Sequence, residues 1–114
     1  MRSRSENNTN RRKYDRFATT TFIPVPVSFS GEAQGTGTLY DVSRGGCKID
    51  SRVTPPLGAS LTLRLSLSEH APPLVVDAGI VGWTIRNRYF GVKFLTLKPS
   101  EQQALNRYLE SLEK

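Results

Sequence analysis

Leu61-Thr62-Leu63-Arg64-Leu65-Ser66-Leu67 decides the fold. Four leucines alternate with three polar residues, the period of a strand with one face buried and one face wet. Moving outward in both directions gives five more runs of this kind. Upstream, Pro55-Pro56-Leu57-Gly58 breaks the chain, and Cys47 to Ser51 and Thr38 to Ser43 read as strands. Gly31 to Gly37 reads as a turn. Phe22 to Phe29 puts Ile23, Val25, Val27 and Phe29 on one face. Pro24 and Pro26 remove N–H donors from one side only, which marks an edge or a strand start. Downstream, Ala71-Pro72-Pro73 makes a loop and Leu74 to Ile85 a long strand, with Gly79 and Gly82 where it would bend around a barrel corner. Asn87-Arg88 turns the chain, and Tyr89 to Leu95 returns with Phe90, Val92 and Phe94 on one face.

The period then changes. Ser100 reads as an N-cap and Gln103 completes a capping box. Leu105, Tyr108, Leu109 and Leu112 recur at helical spacing. Six short strands and one terminal helix place the chain in the all-β class, as an antiparallel barrel or sandwich. The helix stripe reads as a lid on the barrel, with a dimer contact as the alternative.

The 114 residues suit one domain with a tail. No run approaches the roughly 20 apolar residues of a membrane span. The polar start MRSRSENNTNRRK has no apolar signal-peptide region, so a cytoplasmic location is expected. Cys47, the only cysteine, fits a reducing compartment and reads as a small buried apolar residue rather than a nucleophile. His70 has no second histidine, so neither a metal site nor a Ser-His-Asp triad is supported, and an enzyme is not expected. The net charge is +6, and residues 1–20 hold six Lys/Arg against Glu6 and Asp15. An anionic partner at the N-terminus is the expectation.

Two polar motifs remain. Arg12-x-x-x-Arg16, with Arg11 adjacent, offers guanidinium forks that suit phosphate or the O6/N7 edge of guanine. Taken alone, it reads more readily as a solvated basic run, since short basic runs are weak motifs. Asp41-x-Ser43-x-x-Gly46 puts a carboxylate and a hydroxyl on one face of a strand, followed by Gly45 and Gly46, which can take positive φ. Asp, Ser and Gly are also ordinary turn formers. As a site, the carboxylate suits the N1/N2 edge of guanine, and the hydroxyl and backbone N–H groups suit phosphate or sugar oxygens.

In this order and at this spacing, the two motifs resemble the PilZ domain, the bacterial receptor module for cyclic di-GMP. Gly79-Ile80-Val81-Gly82-Trp83 and Tyr89-Phe90-Gly91-Val92-Lys93-Phe94 resemble its later strand pair. The resemblance implies a six-stranded antiparallel β-barrel, the PilZ split barrel, with a C-terminal helix. It divides the chain into a flexible tail at 1–10 and a domain at 11–114. That domain comprises a ligand-binding arm at 11–20, a barrel at 21–97 and a helix at 100–113. It implies no catalysis, no metal and no cofactor, only the ligand cyclic di-GMP lying on the outer barrel surface. Arg12 and Arg16 would hold guanine and phosphate groups, Asp41 and Ser43 a guanine edge, and Gly46 would keep the turn open. Arg11 stands where the family associates an arginine with a stacked ligand dimer. Trp83 is open to two readings, a wall of the site or a core tryptophan. Ligand binding would order the arm and redraw the surface seen by an unidentified downstream protein.

Two other functions compete. A nucleic-acid-binding small barrel is favoured by the basic tail, but residues 21–114 are near neutral and show no evident row of aromatics for base stacking. A PilZ-like adaptor without ligand is disfavoured by the intact arginines, Asp41 and Ser43.

Overall fold

A computed structural model describes residues 25–112 and the backbone of the short strand Phe17–Ala18. The expected tail at 1–10, Arg11, Arg12 and Arg16, the first residues of the expected Phe22–Phe29 strand, and the last two residues of the chain lie outside the described residues.

Seven strands and one helix follow in order: β1 Phe17–Ala18, β2 Pro26–Gly31, β3 Gly35–Val42, β4 Gly46–Asp50, β5 Ser60–Leu65, β6 Leu74–Ile85, β7 Tyr89–Thr96 and α1 Pro99–Leu112. Every strand pairing is antiparallel. The sheet runs β3-β2-β5-β6-β7-β4, and a β3–β4 pairing closes it into a six-stranded barrel. Closure removes the sheet edges that would otherwise template association. β1 lies outside this ring, pairing Phe17 with Val42 and Ala18 with Asp41.

The alternation read in the sequence is what fills the barrel. Leu61, Leu63 and Leu65 of β5 are buried beside Val27 and Phe29 of β2, to which β5 pairs. Phe29 meets Phe90 of β7 edge to face across the interior, with ring centroids 5.1 Å apart. Leu105 and Leu109 of α1 belong to the same buried cluster, with Tyr108 and Leu112 packed at its margin. The helix is therefore a lid. Glu101 accepts a hydrogen bond from the Val75 N–H at 2.9 Å, tying α1 to β6, and Lys98, just before the helix, has its Nζ 3.9 Å from Asp77 of β6.

Several local expectations are corrected. Gly31 to Gly37 is not all turn: β2 ends at Gly31 and β3 starts at Gly35. Gly35 lacks a Cβ because the Phe29 ring occupies that space. Of the two readings of the Pro-rich start of β2, the strand start is realised at Pro26, since β2 is paired on both sides. β5 ends at Leu65, leaving Leu67 beyond it and half-buried. The helix begins at Pro99, whose fixed φ and missing N–H suit a first position. Gln102 N–H bonds the Lys98 carbonyl at 2.9 Å, so Ser100 stands inside the first turn rather than at the cap.

Of the register shifts in the sheet, two set which residues face outward near the β3–β4 turn and on β6. The β3–β4 register skips between Leu39 and Asp41, so Tyr40 is the extra residue. The β6–β7 register skips between Val81 and Trp83, so Gly82 is the extra residue. The bend expected at Gly82 is thus a bulge. Gly79 also stands at register shifts, against β7 and against β5, and it gives room to Val92, whose side chain would collide with a Cβ there.

Candidate functional site

Strand register assembles a row on the outer surface. Asp41 of β3 pairs with Lys48 of β4, Lys48 with Gly91 of β7, and Gly91 with Trp83 of β6. The adjacent row, Val42, Cys47, Val92 and Val81, is buried throughout, so the first row faces outward. Four strands at about 4.8 Å spacing make this row about 14 Å long. Ala18 of β1 extends it on the far side of Asp41.

Asp41 is half-buried in this row, close to the turn that follows β3. Ser43 shares the turn but not the exposure, being only 2% accessible. Its N–H bonds the Gly46 carbonyl at 2.8 Å, its hydroxyl bonds the same carbonyl at 3.3 Å, and it accepts from Gly45 N–H at 3.3 Å. The hydroxyl thus holds the turn in shape. Phe94 N–H to the Gly45 carbonyl, 2.9 Å, fastens the turn to β7.

Gly46 does not take a positive φ; among the described residues that conformation occurs at Gly31, Gly58 and Asn87. Gly46 lies in β4, where a Cβ would collide with the Val92 carbonyl oxygen. Its role is close strand approach, not a hard turn.

Trp83 is 39% exposed on the outer surface, which excludes the core reading. Its indole lies back across β7 because Gly91 has no side chain: a Cβ there would overlap the ring nitrogen. The ring thereby comes within 5.7 Å of Lys48 Nζ.

Around Lys48 the structure gathers residues that the sequence did not single out. Its ammonium lies 4.3 Å from the Tyr40 ring centroid and 4.5 Å from that of Tyr89. The two tyrosine rings are 5.4 Å apart. Arg88 stacks on Tyr89 at 5.0 Å and donates to its hydroxyl at 3.2 Å. Ring faces attract cations at these distances. The surface is therefore an aromatic and cationic face with the Asp41 carboxylate beside it. This corrects the expectation that no aromatic row exists: Tyr40, Tyr89 and Trp83 come from three strands and meet only in the closed barrel. The parity of Lys48 with Gly46 could have signalled its outward direction. For Tyr40 the signal was divided: alternation from Leu39 points it outward, alternation from Val42 inward, and the bulge settles it outward.

The structure brings Asp41 and Trp83 into one row and sets Ser43 in the adjoining turn and Gly46 at the start of β4. Arg11, Arg12 and Arg16 lie outside the described residues. No group of three or more potential metal ligands occurs among the described residues. No helix among them is long and apolar enough to cross a membrane.

The PilZ domain profile matches residues 10–111. The chain belongs to the PilZ family. Solved structures that share the fold include the following three. The Escherichia coli YcgR PilZ domain with c-di-GMP superimposes with a TM-score of 0.70 at 18% identity, over 91% of this chain and 92% of that one. MotI/DgrA, the Bacillus subtilis inhibitor of motility, gives 0.69 at 22% identity over 93% of this chain, which spans 54% of the Bacillus chain. The PilZ domain of CeSA from a cellulose-synthesizing bacterium gives 0.65 at 15% identity, over 88% of this chain and 99% of that one. No protein of curated function matches the sequence.

Proposed function

We propose that this PilZ domain is a non-catalytic receptor for cyclic di-GMP, acting in the cytoplasm. One observation carries the reading: β1 pairs with β3 at Asp41 and Val42. Arg16 is the covalent neighbour of Phe17, so the Arg12-x-x-x-Arg16 arm joins the barrel at the Asp41-x-Ser43-x-x-Gly46 motif. The presence of c-di-GMP in the E. coli relative of the same fold agrees with it.

The chemistry is complementary. Cyclic di-GMP is a dianion with two guanines. Arg12 and Arg16 offer forked donors to phosphate and to O6/N7 edges, and Asp41 accepts from N1–H and N2–H. Ser43 and Gly46 keep the turn tight against β7, so Asp41 is held at a fixed height, and Trp83 walls the far end. Arg11 extends the arm toward a second, stacked ligand molecule. Binding orders the arm against β3, and the new surface is the signal to a downstream protein.

Calorimetry with cyclic di-GMP, with GTP and cyclic di-AMP as controls, tests the reading. Arg12→Ala and Arg16→Ala each weaken binding by about 1–3 kcal/mol or more, the worth of a bidentate guanine contact. Arg11→Ala lowers the number of ligands bound. Amide exchange over residues 1–17 slows on adding ligand. Absence of cyclic di-GMP binding to the wild-type chain overturns the assignment.

The aromatic and cationic face supports a second reading, single-stranded nucleic acid stacked on Tyr40, Tyr89 and Trp83. A salt-dependent gel shift with single-stranded RNA that cyclic di-GMP does not compete away would favour it.

A further inference from the structure

We propose that Lys48 makes this site selective for guanine over adenine. The inference rests on the receptor reading above. Lys48 stands directly opposite Asp41 across the β3–β4 pair, so their Cβ atoms leave the same outer face about 5 Å apart. On an open surface a lysine samples many rotamers. Here Tyr40 at 4.3 Å and Tyr89 at 4.5 Å confine the ammonium, and Trp83 closes in at 5.7 Å. The Tyr40 bulge is what supplies the first of these rings. The ring faces hold the charge electrostatically without offering a strong lone pair, so its N–H groups keep their capacity for an oxygen or nitrogen acceptor.

Guanine displays N2–H, N1–H and O6 in a line along one edge. A carboxylate satisfies the two donors and leaves O6 beyond its reach. A cation carried by the residue paired with Asp41 is the complement of O6, with N7 just past it, and lysine is a common partner of these two atoms. Adenine reverses both features: an amino donor replaces O6 and an acceptor replaces N1–H. Against Asp41 and Lys48 it sets acceptor on carboxylate and donor on ammonium. Selectivity therefore includes a repulsive element as well as an attractive one.

Calorimetry on the full chain with cyclic di-GMP and cyclic di-AMP, for wild type, Lys48→Met and Lys48→Arg, tests this. Met keeps an apolar stem between the tyrosines while removing the charge, and thermal melting checks that the fold is retained. The expected result is a loss of about 10-fold or more for cyclic di-GMP in Lys48→Met, in line with the worth of a guanine contact. Cyclic di-AMP binding is not weakened, so the preference narrows; Lys48→Arg keeps it. An unchanged ratio in Lys48→Met overturns the inference. So does an equal weakening of both ligands, which would make Lys48 a plain phosphate contact. Wild-type chain that binds neither ligand removes the receptor reading, and this inference with it.

Discussion

Gly46→Ala and Gly91→Ala make the same chemical change one strand apart, and the structure separates their outcomes. At Gly46 the added methyl meets the Val92 carbonyl oxygen, with the Val92 carbon and the Lys93 Cα behind it at 3.4 and 3.5 Å. All three belong to the backbone of β7, which is paired to β4 along the whole of residues 46–50. Relief requires the two strands to part in a closed barrel. The cost belongs at the upper end of the range for overpacking, about 3 kcal/mol. For a chain of this size that lowers Tm by roughly 10 °C. At Gly91 the obstacle is the indole of Trp83, which is already 39% exposed and can swing outward. The cost there is about 1 kcal/mol or less, at the lower end of the same range. Trp83 is the only tryptophan, so its movement reads directly as a change in intrinsic fluorescence. Thermal melting of both variants, with fluorescence of the folded forms, is the assay. Gly91→Ala as destabilising as Gly46→Ala, or Gly91→Ala with unaltered fluorescence, would refute the reasoning.

Ser43→Ala leaves the Gly45 N–H without its hydroxyl partner and lowers stability by about 1 kcal/mol even without ligand, measurable by urea unfolding. Glu101→Ala removes the acceptor of the Val75 N–H and loosens α1, so amide exchange at Val75 and along the helix speeds up by about fivefold or more, for a lost bond of about 1 kcal/mol. Tyr108 has its phenol pushed above the ordinary value of 10.0 by burial. With the folded pKa raised, its contribution is fully present below pH 10 and is lost as pH rises further, because the unfolded chain ionises first. Denaturation midpoints measured from pH 9 to 11 should fall more steeply for wild type than for Tyr108→Phe.

The strands were legible because burial in a closed barrel follows the period-2 rule along most of each strand, as in Leu61, Leu63 and Leu65. The terminal helix was legible from the switch to a 3.6-residue period at Leu105 and Leu109. What the alternation could not convey is where it breaks. Tyr40 and Gly82 each add one residue to a strand; Leu39 and Val42, three apart and both buried, show that alternation breaks in β3, but which residue is extra follows only from how β3 and β4 register against each other. The glycines misled for a related reason. Gly35 and Gly46 look like turn chemistry, yet each lies in a strand and serves a close approach, of the Phe29 ring to Gly35 and of the Val92 carbonyl to Gly46. Asp41 and Trp83 were visible as candidates because they stand in recognisable motifs. Lys48, Tyr40 and Tyr89 were not, because three separate strands supply one cluster.

The long-range pairings of the barrel also say something about how the chain reaches its fold. β4 must find β7, and Gly46–Asp50 and Tyr89–Lys93 lie some forty residues apart, while β2 must find β5 across a gap nearly as long. Only the β2–β3, β3–β4, β5–β6 and β6–β7 hairpins form between neighbours in sequence. Joining two such local groups carries a loop-closure entropy that no early contact offsets, so folding on the slow, millisecond-to-second side of the range for small domains is expected. β4 enters the ring with β3 as a local hairpin and meets β7 only through the long-range join. Its outward residues include Lys48, so the cluster around that lysine exists only once the circle is complete.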